Sequence, residues 1–311
     1  MSPSPTAPNS LPALFRRAEN LAPVRCAMVH PCDHASLEGI IAAAQHQLVI
    51  PVLIGPKAKI EAVAAEHGFD ISGFELIDEP FSHAAAERAA LMAAHGEVEA
   101  LMKGSLHTDE LMHAVLRERS LRTKRRMSHV FHFDLPAYDK PILITDAALN
   151  ILPSLQDKAD ITQNAIDVAH ILGVAEPKVA ILAAVETVSP EMQSTIDAAA
   201  LCKMADRKQI TGALLDGPLA FDNAISPKAV KIKGIESKVA GQADILVVPD
   251  LEAGNMLAKQ LEYFGAADSA GIVVGARVPI ALTSRSDATD TRLASMLLVQ
   301  LVAHHYRQNP P

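Results

Sequence analysis

Residues 243–264 read ADILVVPDLEAGNMLAKQLEYF, a short apolar run followed by a longer segment with apolar residues at helical spacing. The run over 244–248 is typical of a strand buried on both faces, and residues 251–264 predict a helix. Asp250 stands between them, at a position where helix N-caps are commonly Asp. Since the same alternation recurs from residue 25 onwards, the sequence predicts an α/β fold around a mostly parallel sheet.

The alternation predicts eleven strands and seven clear helices. The strands are expected at 25–30, 49–54, 73–78, 99–102, 128–133, 141–145, 178–185, 212–215, 244–248, 271–275 and 278–283. The helices are expected at 36–47, 82–95, 108–119, 157–172, 190–205, 251–264 and 287–305. The connections after 133 and after 275 are too short for a crossover helix, so these two strand pairs are predicted to be antiparallel and the sheet to be mixed.

The composition of the 311-residue chain excludes several classes of protein. With 49% hydrophobic residues the chain can bury a large core, which excludes a disordered protein. A formal charge of -8, no Trp and 4% aromatic residues disfavour nucleic-acid binding. No apolar run is long enough to span a membrane, and the three cysteines show no framework spacing. We therefore expect a cytoplasmic protein with neither nucleic acid nor membrane as a partner.

Polar residues gather directly after five of the predicted strands, where ligands bind in open α/β sheets. The groups lie at 103–109, 146–150, 216–223, 249–255 and 284–287. Each group alone is more typical of a turn with a helix cap, and Thr108, Asp250 and Asp287 occupy positions that suit caps. Five groups in succession favour a lined cleft.

The group Ser284-Arg285-Ser286-Asp287 lies between an apolar strand and a long predicted helix. An Arg there can meet an anion held at the helix N-terminus, where backbone N–H groups and the helix dipole favour negative charge. The alternative is an ion pair between Arg285 and Asp287 around a Ser cap. The spacing of the residues leaves both interpretations open.

Other charged and polar groups carry weaker predictions. The basic run from Arg117 to Arg126 suits a docking surface for a polyanion, but a solvated helix end is favoured. The thirteen His residues show no ligand spacing with Cys, so no metal site is predicted. No Gly-rich dinucleotide motif follows a strand.

At the same positions the sequence resembles the phosphate acetyl/butyryltransferase family. The matching stretches are Asp216–Ser226 (DGPLAFDNAIS), Val239–Asn255 (VAGQADILVVPDLEAGN), Gly271–Gly275 (GIVVG) and Pro279–Asp287 (PIALTSRSD). The similarity spans residues 20–305, and its motifs are closer to the butyryl branch, since Asp216-Gly-Pro-Leu and Thr283-Ser-Arg-Ser replace the acetyl-branch patterns.

The resemblance implies two three-layer α/β/α domains of the isocitrate/isopropylmalate dehydrogenase-like fold, with a cleft between them. The first domain is expected to comprise residues 1–149 plus 271–311, and the second residues 150–270. Members are usually dimeric, so a homodimer is expected.

The resemblance also implies a reaction in which acyl-CoA and inorganic phosphate give acyl phosphate and coenzyme A. Coenzyme A is then a substrate or product, and no permanently bound cofactor is expected. Arg285 would hold phosphate and Ser284 would donate to the oxyanion. Because Thr291 occupies the position of the acetyl-branch catalytic Asp, Asp287 and Asp290 are the candidate bases. Residues expected to bind phosphate or coenzyme A are Lys103, Thr108, His113, Asn150, Asp216 and Asn255.

Two further interpretations keep the same fold. A non-catalytic acyl-CoA-sensing domain would lose the Ser-Arg chemistry, whereas Ser284 and Arg285 are present here. A dehydrogenase would need a nicotinamide site and metal-binding carboxylates, and the sequence shows neither pattern. The acyltransferase is therefore the favoured prediction.

Overall fold

A computed structural model of the chain describes residues 10–283 and 287–311. The contacts between residues divide this part of the chain into two compact units. The terminal unit comprises Leu11–Lys124 and Ala270–Pro311, and the middle unit comprises Arg125–Ser269. The two units are described separately below.

The terminal unit is built on the strand order β3-β2-β1-β4-β11-β10. Its strands are β1 Val24–Val29, β2 Val49–Gly55, β3 Glu75–Asp78, β4 Ala100–Lys103, β10 Asp268–Val274 (which begins two residues before the unit boundary) and β11 Ile280–Ala281. Its helices are α1 Ser10–Ala18, α2 His34–Gln45, α3 Lys57–His67, α4 Ser82–Ala94, α5 Thr108–Arg117 and α11 Thr289–Gln308, with a 3-10 turn at Arg119–Leu121. All these strands pair in parallel except β10 and β11, which pair antiparallel.

The middle unit is built on the strand order β5-β6-β9-β7-β8. Its strands are β5 Ser128–Asp134, β6 Ile142–Thr145, β7 Lys178–Leu182, β8 Leu214–Leu219 and β9 Ile245–Val247. Its helices are α6 Leu155–Ile171, α7 Gln193–Asp206, α8 Phe221–Ile225, α9 Pro227–Lys233 and α10 Leu251–Tyr263. Strands β5 and β6 pair antiparallel, and β6, β9, β7 and β8 are parallel.

Burial explains why these segments form strands and helices. Strand β4, ALMK, is buried along its whole length, as expected for a parallel strand covered on both faces. Helix α4 presents small buried residues, chiefly alanine, which let it pack closely on the sheet. Helix α11 has twelve buried residues over 292–303, more than one stripe, so it is enclosed by its unit.

All eleven predicted strands and all seven predicted helices are present within the described residues, with bounds shifted by a few residues. The two predicted antiparallel pairs, β5 with β6 and β10 with β11, are confirmed. The α/β class with a mixed sheet is therefore confirmed. Of the three expected caps, Asp250 accepts from the backbone N–H of Ala253 at 2.8 Å and is confirmed. Thr108 and Asp287 are not caps, since α5 and α11 are preceded by His107 and Ala288, whose side chains make no cap bond.

The expected division of the first domain at residue 149 differs from the boundary between the compact units. Contacts group β5 and β6 with the residues after 150, because β6 pairs in parallel with β9 from Leu143 opposite Ile245 to Thr145 opposite Val247. The second boundary, at 269 and 270, lies one residue from the expected position. The domain limits 1–149 plus 271–311 and 150–270 stay a prediction.

A substitution at Gly104 tests how closely the chain after β4 approaches the end of β1. A Cβ there would lie 2.5 Å from the carbonyl oxygen of Val29 and 2.7 Å from that of His30, both backbone atoms. We expect Gly104→Ala to lower the free energy of unfolding by about 1–3 kcal/mol, measured by urea denaturation. Gly73→Ala is the matched control in the same unit, since its Cβ would meet nothing within 4 Å. Equal stability of the two variants would contradict this close approach.

Candidate active site

The terminal unit brings a buried ammonium group to the carboxyl edge of its sheet. Strand β4 lies between β1 and β11, parallel to both, so the three carboxyl ends share one edge. Lys103 is the last residue of β4 and is only 8% exposed. Its Nζ donates to the carbonyl oxygens of Gly104 at 3.2 Å and Leu106 at 3.3 Å. The side chain is thus fixed at the edge where ligands bind in such sheets.

The two other residues predicted on this side of the terminal unit both lie on α5. Thr108 is the first residue of the helix and is half-buried. A short loop separates it from Lys103 at the end of β4. His113 lies in the middle of the helix and is exposed. Thr108 is therefore placed near the edge of the sheet, and His113 is more than one helical turn further along.

The residues predicted to carry the reaction surround the start of α11. Ser284 and Arg285 lie outside the described residues. Asp287 is half-buried and precedes the helix, while Asp290 is exposed in its first turn. The helix predicted from residue 287 begins at Thr289, so Asp287 lies before it and only Asp290 lies on it.

A buried arginine supports this segment, and the sequence prediction missed it. Arg292 is 3% exposed, and its Nε donates to the carbonyl oxygen of Asp287 at 3.2 Å. Gly39 of α2 makes room for it, since a Cβ there would lie 2.9 Å from Arg292 Cδ. Thr289 Oγ1 also donates to Glu38 Oε2 at 2.9 Å. The start of α11 is therefore attached to α2.

Asp33 lies close to the same arginine. Burial raises the pKa of Asp33, but hydrogen bonds from Ser36 and Ser105 and the charge of Arg292 together lower it below its ordinary value. Asp33 also caps α2, accepting from the backbone N–H of Ser36 at 2.8 Å. Its carboxylate stays charged at neutral pH and contributes to the attachment of α2.

The middle unit brings two of its three predicted residues to one loop. Asn150 and Asn255 both contact the loop after β6, Asn255 through a bond from Nδ2 to the carbonyl oxygen of Ala147 at 3.3 Å. Gly254 allows this approach, because a Cβ there would lie 3.0 Å from Ala147 Cα. Asp216 was expected after its strand but lies within β8, separated from β6 by β9 and β7. The structure therefore does not bring Asp216 to the two asparagines.

An apolar cavity of about 690 Å³ opens beside α10 in the middle unit. It begins at the carboxyl ends of β7 and β9, and its lining includes Leu182, Val248, Leu257 and Phe264, with Gln260 as a polar member. None of the predicted site residues lines it. Its size and lining suit the apolar part of a small ligand.

A family model described as Phosphate acetyl/butaryl transferase matches residues 80–299, which is more than half of the chain. The chain belongs to this family. The resemblance stated from the motifs is thereby confirmed, and the match includes parts of both compact units.

Comparisons with individual phosphate acetyl/butyryl transferase family members agree with this assignment. The chain is 56% identical over 304 residues to a protein named phosphate acetyltransferase from Rhizobium meliloti, covering 97% of this chain and 96% of the relative. It is 40% identical over 272 residues to a phosphate butyryltransferase from Clostridium acetobutylicum, covering 87% and 90%. A branched-chain phosphotransacylase from Enterococcus faecalis V583 superposes with a TM-score of 0.79 at 31% identity, covering 90% of this chain and 99% of the other.

Metal-ligand clusters and membrane-spanning helices are both absent from the described residues. Neither residues 10–283 nor 287–311 contain a group of three or more His, Cys, Asp or Glu side chains placed to hold a metal ion. No helix in the same ranges is long and apolar enough to cross a membrane.

The family match does not explain every buried polar group of the middle unit. Burial lowers the pKa of His129 to about 3 and that of His132 to about 4, so both rings are neutral at pH 7. Burial raises the pKa of Asp146, although hydrogen bonds from Ala148, Asn150 and other neighbours oppose the shift. The sequence placed Asp146 after a strand but gave no sign that it would be enclosed.

The basic run predicted as a candidate polyanion surface is largely paired within each unit. Arg117 pairs with Glu87, and Arg122 donates to the carbonyl oxygen of Leu116. In the middle unit Arg125 pairs with Asp167 and Arg126 contacts Asn150. These contacts favour the alternative of structural and solvated charges for most of the run.

Proposed function

We propose that this chain transfers a short acyl group between coenzyme A and inorganic phosphate. The observation that carries the proposal is the family match, together with 56% identity over 97% of the chain to a phosphate acetyltransferase. The acyl-CoA-sensing alternative gains no support from these relatives, which are named as transferases. We also expect a cytoplasmic protein, as its composition indicates, and a homodimer, as the resemblance implies.

The reaction moves the acyl group from the thioester sulfur to a phosphate oxygen through a tetrahedral oxyanion. A phosphate oxygen attacks the carbonyl carbon, and the C–S bond breaks as coenzyme A leaves. Phosphate is already a competent nucleophile at neutral pH, so the enzyme mainly positions two anions and stabilises the oxyanion. Lys103 is buried at the edge of the terminal sheet, which supports a role for its positive charge in binding such ligands.

The residues outside the described ranges take the roles that the resemblance gives them. Arg285 holds phosphate as a fork, and Ser284 donates to the developing oxyanion. In the reverse direction Asp287 or Asp290 accepts the thiol proton. Asp287 is the stronger candidate, because it precedes α11 and is held through its carbonyl oxygen by Arg292.

Release of thiol from acetyl-, propionyl-, butyryl- and longer acyl-CoA, measured with and without phosphate, tests the reaction. We expect thiol release only when phosphate is present, with acyl phosphate as the second product. Release that is independent of phosphate would indicate a thioesterase and overturn the proposal.

Arg285→Lys keeps the positive charge but loses the planar fork. We expect a loss of about 2–3 kcal/mol in transition-state stabilisation, which is about 30- to 150-fold in kcat/KM for phosphate. Steady-state kinetics at varied phosphate measures this change. Kinetics close to those of the unmodified enzyme would exclude Arg285 from the site.

The two candidate bases are separated by asparagine substitution. In the direction that consumes coenzyme A, we expect Asp287→Asn to lower kcat by about 100-fold or more, the scale of a lost general base. Asp290→Asn serves as the comparison, since Asp290 is exposed in the first turn of α11. Impairment of Asp290→Asn alone would transfer the role to Asp290.

The motifs predict that the acyl pocket accepts more than a methyl group. Each buried methylene contributes about 0.8 kcal/mol, and a butyryl group has two more methylenes than an acetyl group. The kcat/KM for butyryl-CoA should therefore exceed that for acetyl-CoA by about 15-fold. Steady-state kinetics with acetyl-, propionyl- and butyryl-CoA at saturating phosphate measures this preference. A tenfold preference for acetyl-CoA in the unmodified enzyme would show that the branch prediction is wrong.

A further inference from the structure

Asn150, predicted as a ligand-binding residue, has its side chain occupied by other parts of the protein. It is 5% exposed, and its Nδ2 donates to the carbonyl oxygen of Met127 at 2.9 Å and to Asp146 Oδ2 at 2.5 Å. Its Oδ1 accepts from Arg126 Nε at 2.6 Å. A ligand that bound the amide directly would have to displace these bonds and leave buried groups unpaired.

Asp146 fixes the loop that carries Asn150. Its Oδ1 accepts from the backbone N–H groups of Ala148 and Leu149, each at 3.0 Å, so the carboxylate closes a tight turn after β6. Its second oxygen accepts from Asn150. The turn therefore holds the Asn150 side chain in one orientation, with Oδ1 directed towards Arg126.

The guanidinium of Arg126 is held along one edge and open along another. Nε donates to Asn150, and Nη1 lies 3.4 Å from Asp157 Oδ1. Nη2 has no hydrogen-bond partner within the described ranges, and the side chain is 53% exposed. Arg126 is thus an oriented cation with donors available to a ligand.

The position of Arg126 suits a ligand of the middle unit. Because β5 runs antiparallel to β6, the start of β5 lies at the carboxyl end of β6, and β9 and β7 end at the same edge. Ligands bind at this edge in open α/β sheets. The adjacent Arg125 differs, since it pairs with Asp167 and lies within 3.5 Å of Asn164 on α6.

We propose that Arg126 binds a phosphate group of a substrate and that Asn150 is a positioning residue that orients the Arg126 guanidinium. The inference rests on the proposed acyl transfer, in which every substrate carries phosphate. Two sources share this chemistry: inorganic or acyl phosphate, and the phosphates of the coenzyme A nucleotide. A guanidinium matches either through parallel N–H donors, which an amide cannot replace.

Steady-state kinetics of four variants tests the pair: Arg126→Gln, Arg126→Lys, Asn150→Ala and the double variant Arg126→Gln/Asn150→Ala. We expect Arg126→Gln to raise the KM of one substrate about 10- to 100-fold with little change in kcat, and Arg126→Lys to recover part of the loss. Arg125→Gln is the matched control and should leave both KM values within about twofold.

The double variant distinguishes a positioning role from a structural one. If Asn150 acts through Arg126, the double variant should have the KM of Arg126→Gln alone, because no oriented guanidinium remains to be lost. If the increases in KM of the two single variants multiply in the double variant, Asn150 acts independently of Arg126, which would overturn its positioning role.

An acyl-pantetheine thioester, which lacks the nucleotide phosphates, identifies the source of the phosphate. If Arg126 binds inorganic phosphate, Arg126→Gln raises the KM for phosphate with either thioester. If it binds the nucleotide, the variant and the unmodified enzyme have the same KM for acyl-pantetheine but differ with acyl-CoA. Unchanged KM values for phosphate and acyl-CoA in Arg126→Gln would overturn the proposal.

Calorimetric titration with coenzyme A and with inorganic phosphate separates this inference from the proposed function. An unmodified enzyme that binds these ligands but transfers no acyl group would disprove the transfer while leaving Arg126 testable by its Kd. Weakening of about tenfold or more in Arg126→Gln, but not in Arg125→Gln, is the expected result. Equal Kd values, or no binding by the unmodified enzyme, would overturn the role of Arg126.

Discussion

The parallel pairing of β4 with β1 on one side and β11 on the other is the constraint on which the terminal unit depends. This pairing brings the backbone of Gly104, directly after β4, against the carbonyl oxygens of Val29 and His30. No side chain would fit at that position. The pairing brings three strand ends to one edge and fixes Lys103 there. Arg292 attaches the start of α11 to α2, where it lies against Gly39.

The sequence was sufficient to predict the strands because each is a short apolar run between turn-forming residues. Three of the helices that it missed, α3, α8 and α9, lack a periodic pattern of useful length. In α3 only Ile60 and Ala64 are buried, so most of its residues face solvent and no apolar stripe marks it. Helices α8 and α9 have five and seven residues, too few to show a helical period. Strand β8 continues to Leu219, although Gly217 and Pro218 suggested an earlier end.

In the candidate site, too, the sequence marks residues by local patterns but not residues whose position depends on tertiary contacts. The positions of Lys103 and Asn150 were predictable, because each ends or follows an apolar run, whereas the binding roles of these residues and of Asn255 stay predictions. The position of Arg292 was not predictable, since its contacts join residues far apart in sequence, and for Arg126 the sequence indicated only that it ends a basic run. Arg292 meets Gly39 across more than 250 positions, and no short motif records such a pair. The arrangement around Asn150 likewise depends on antiparallel pairing of β5 with β6.

The electrostatics of the middle unit differ between a buried ion pair and the partly exposed guanidinium of Arg126. Lys158 and Asp197 are both buried and lie 2.7 Å apart, so each cancels the field of the other and the pair joins α6 to α7. Around Arg126 the neutral amide of Asn150 stands between the guanidinium and the buried carboxylate of Asp146. Direct contact between those two charges would cancel much of the positive field. The amide transmits orientation without charge, whereas Asp157, with Oδ1 3.4 Å from Nη1, supplies the negative charge that opposes the positive field of Arg126.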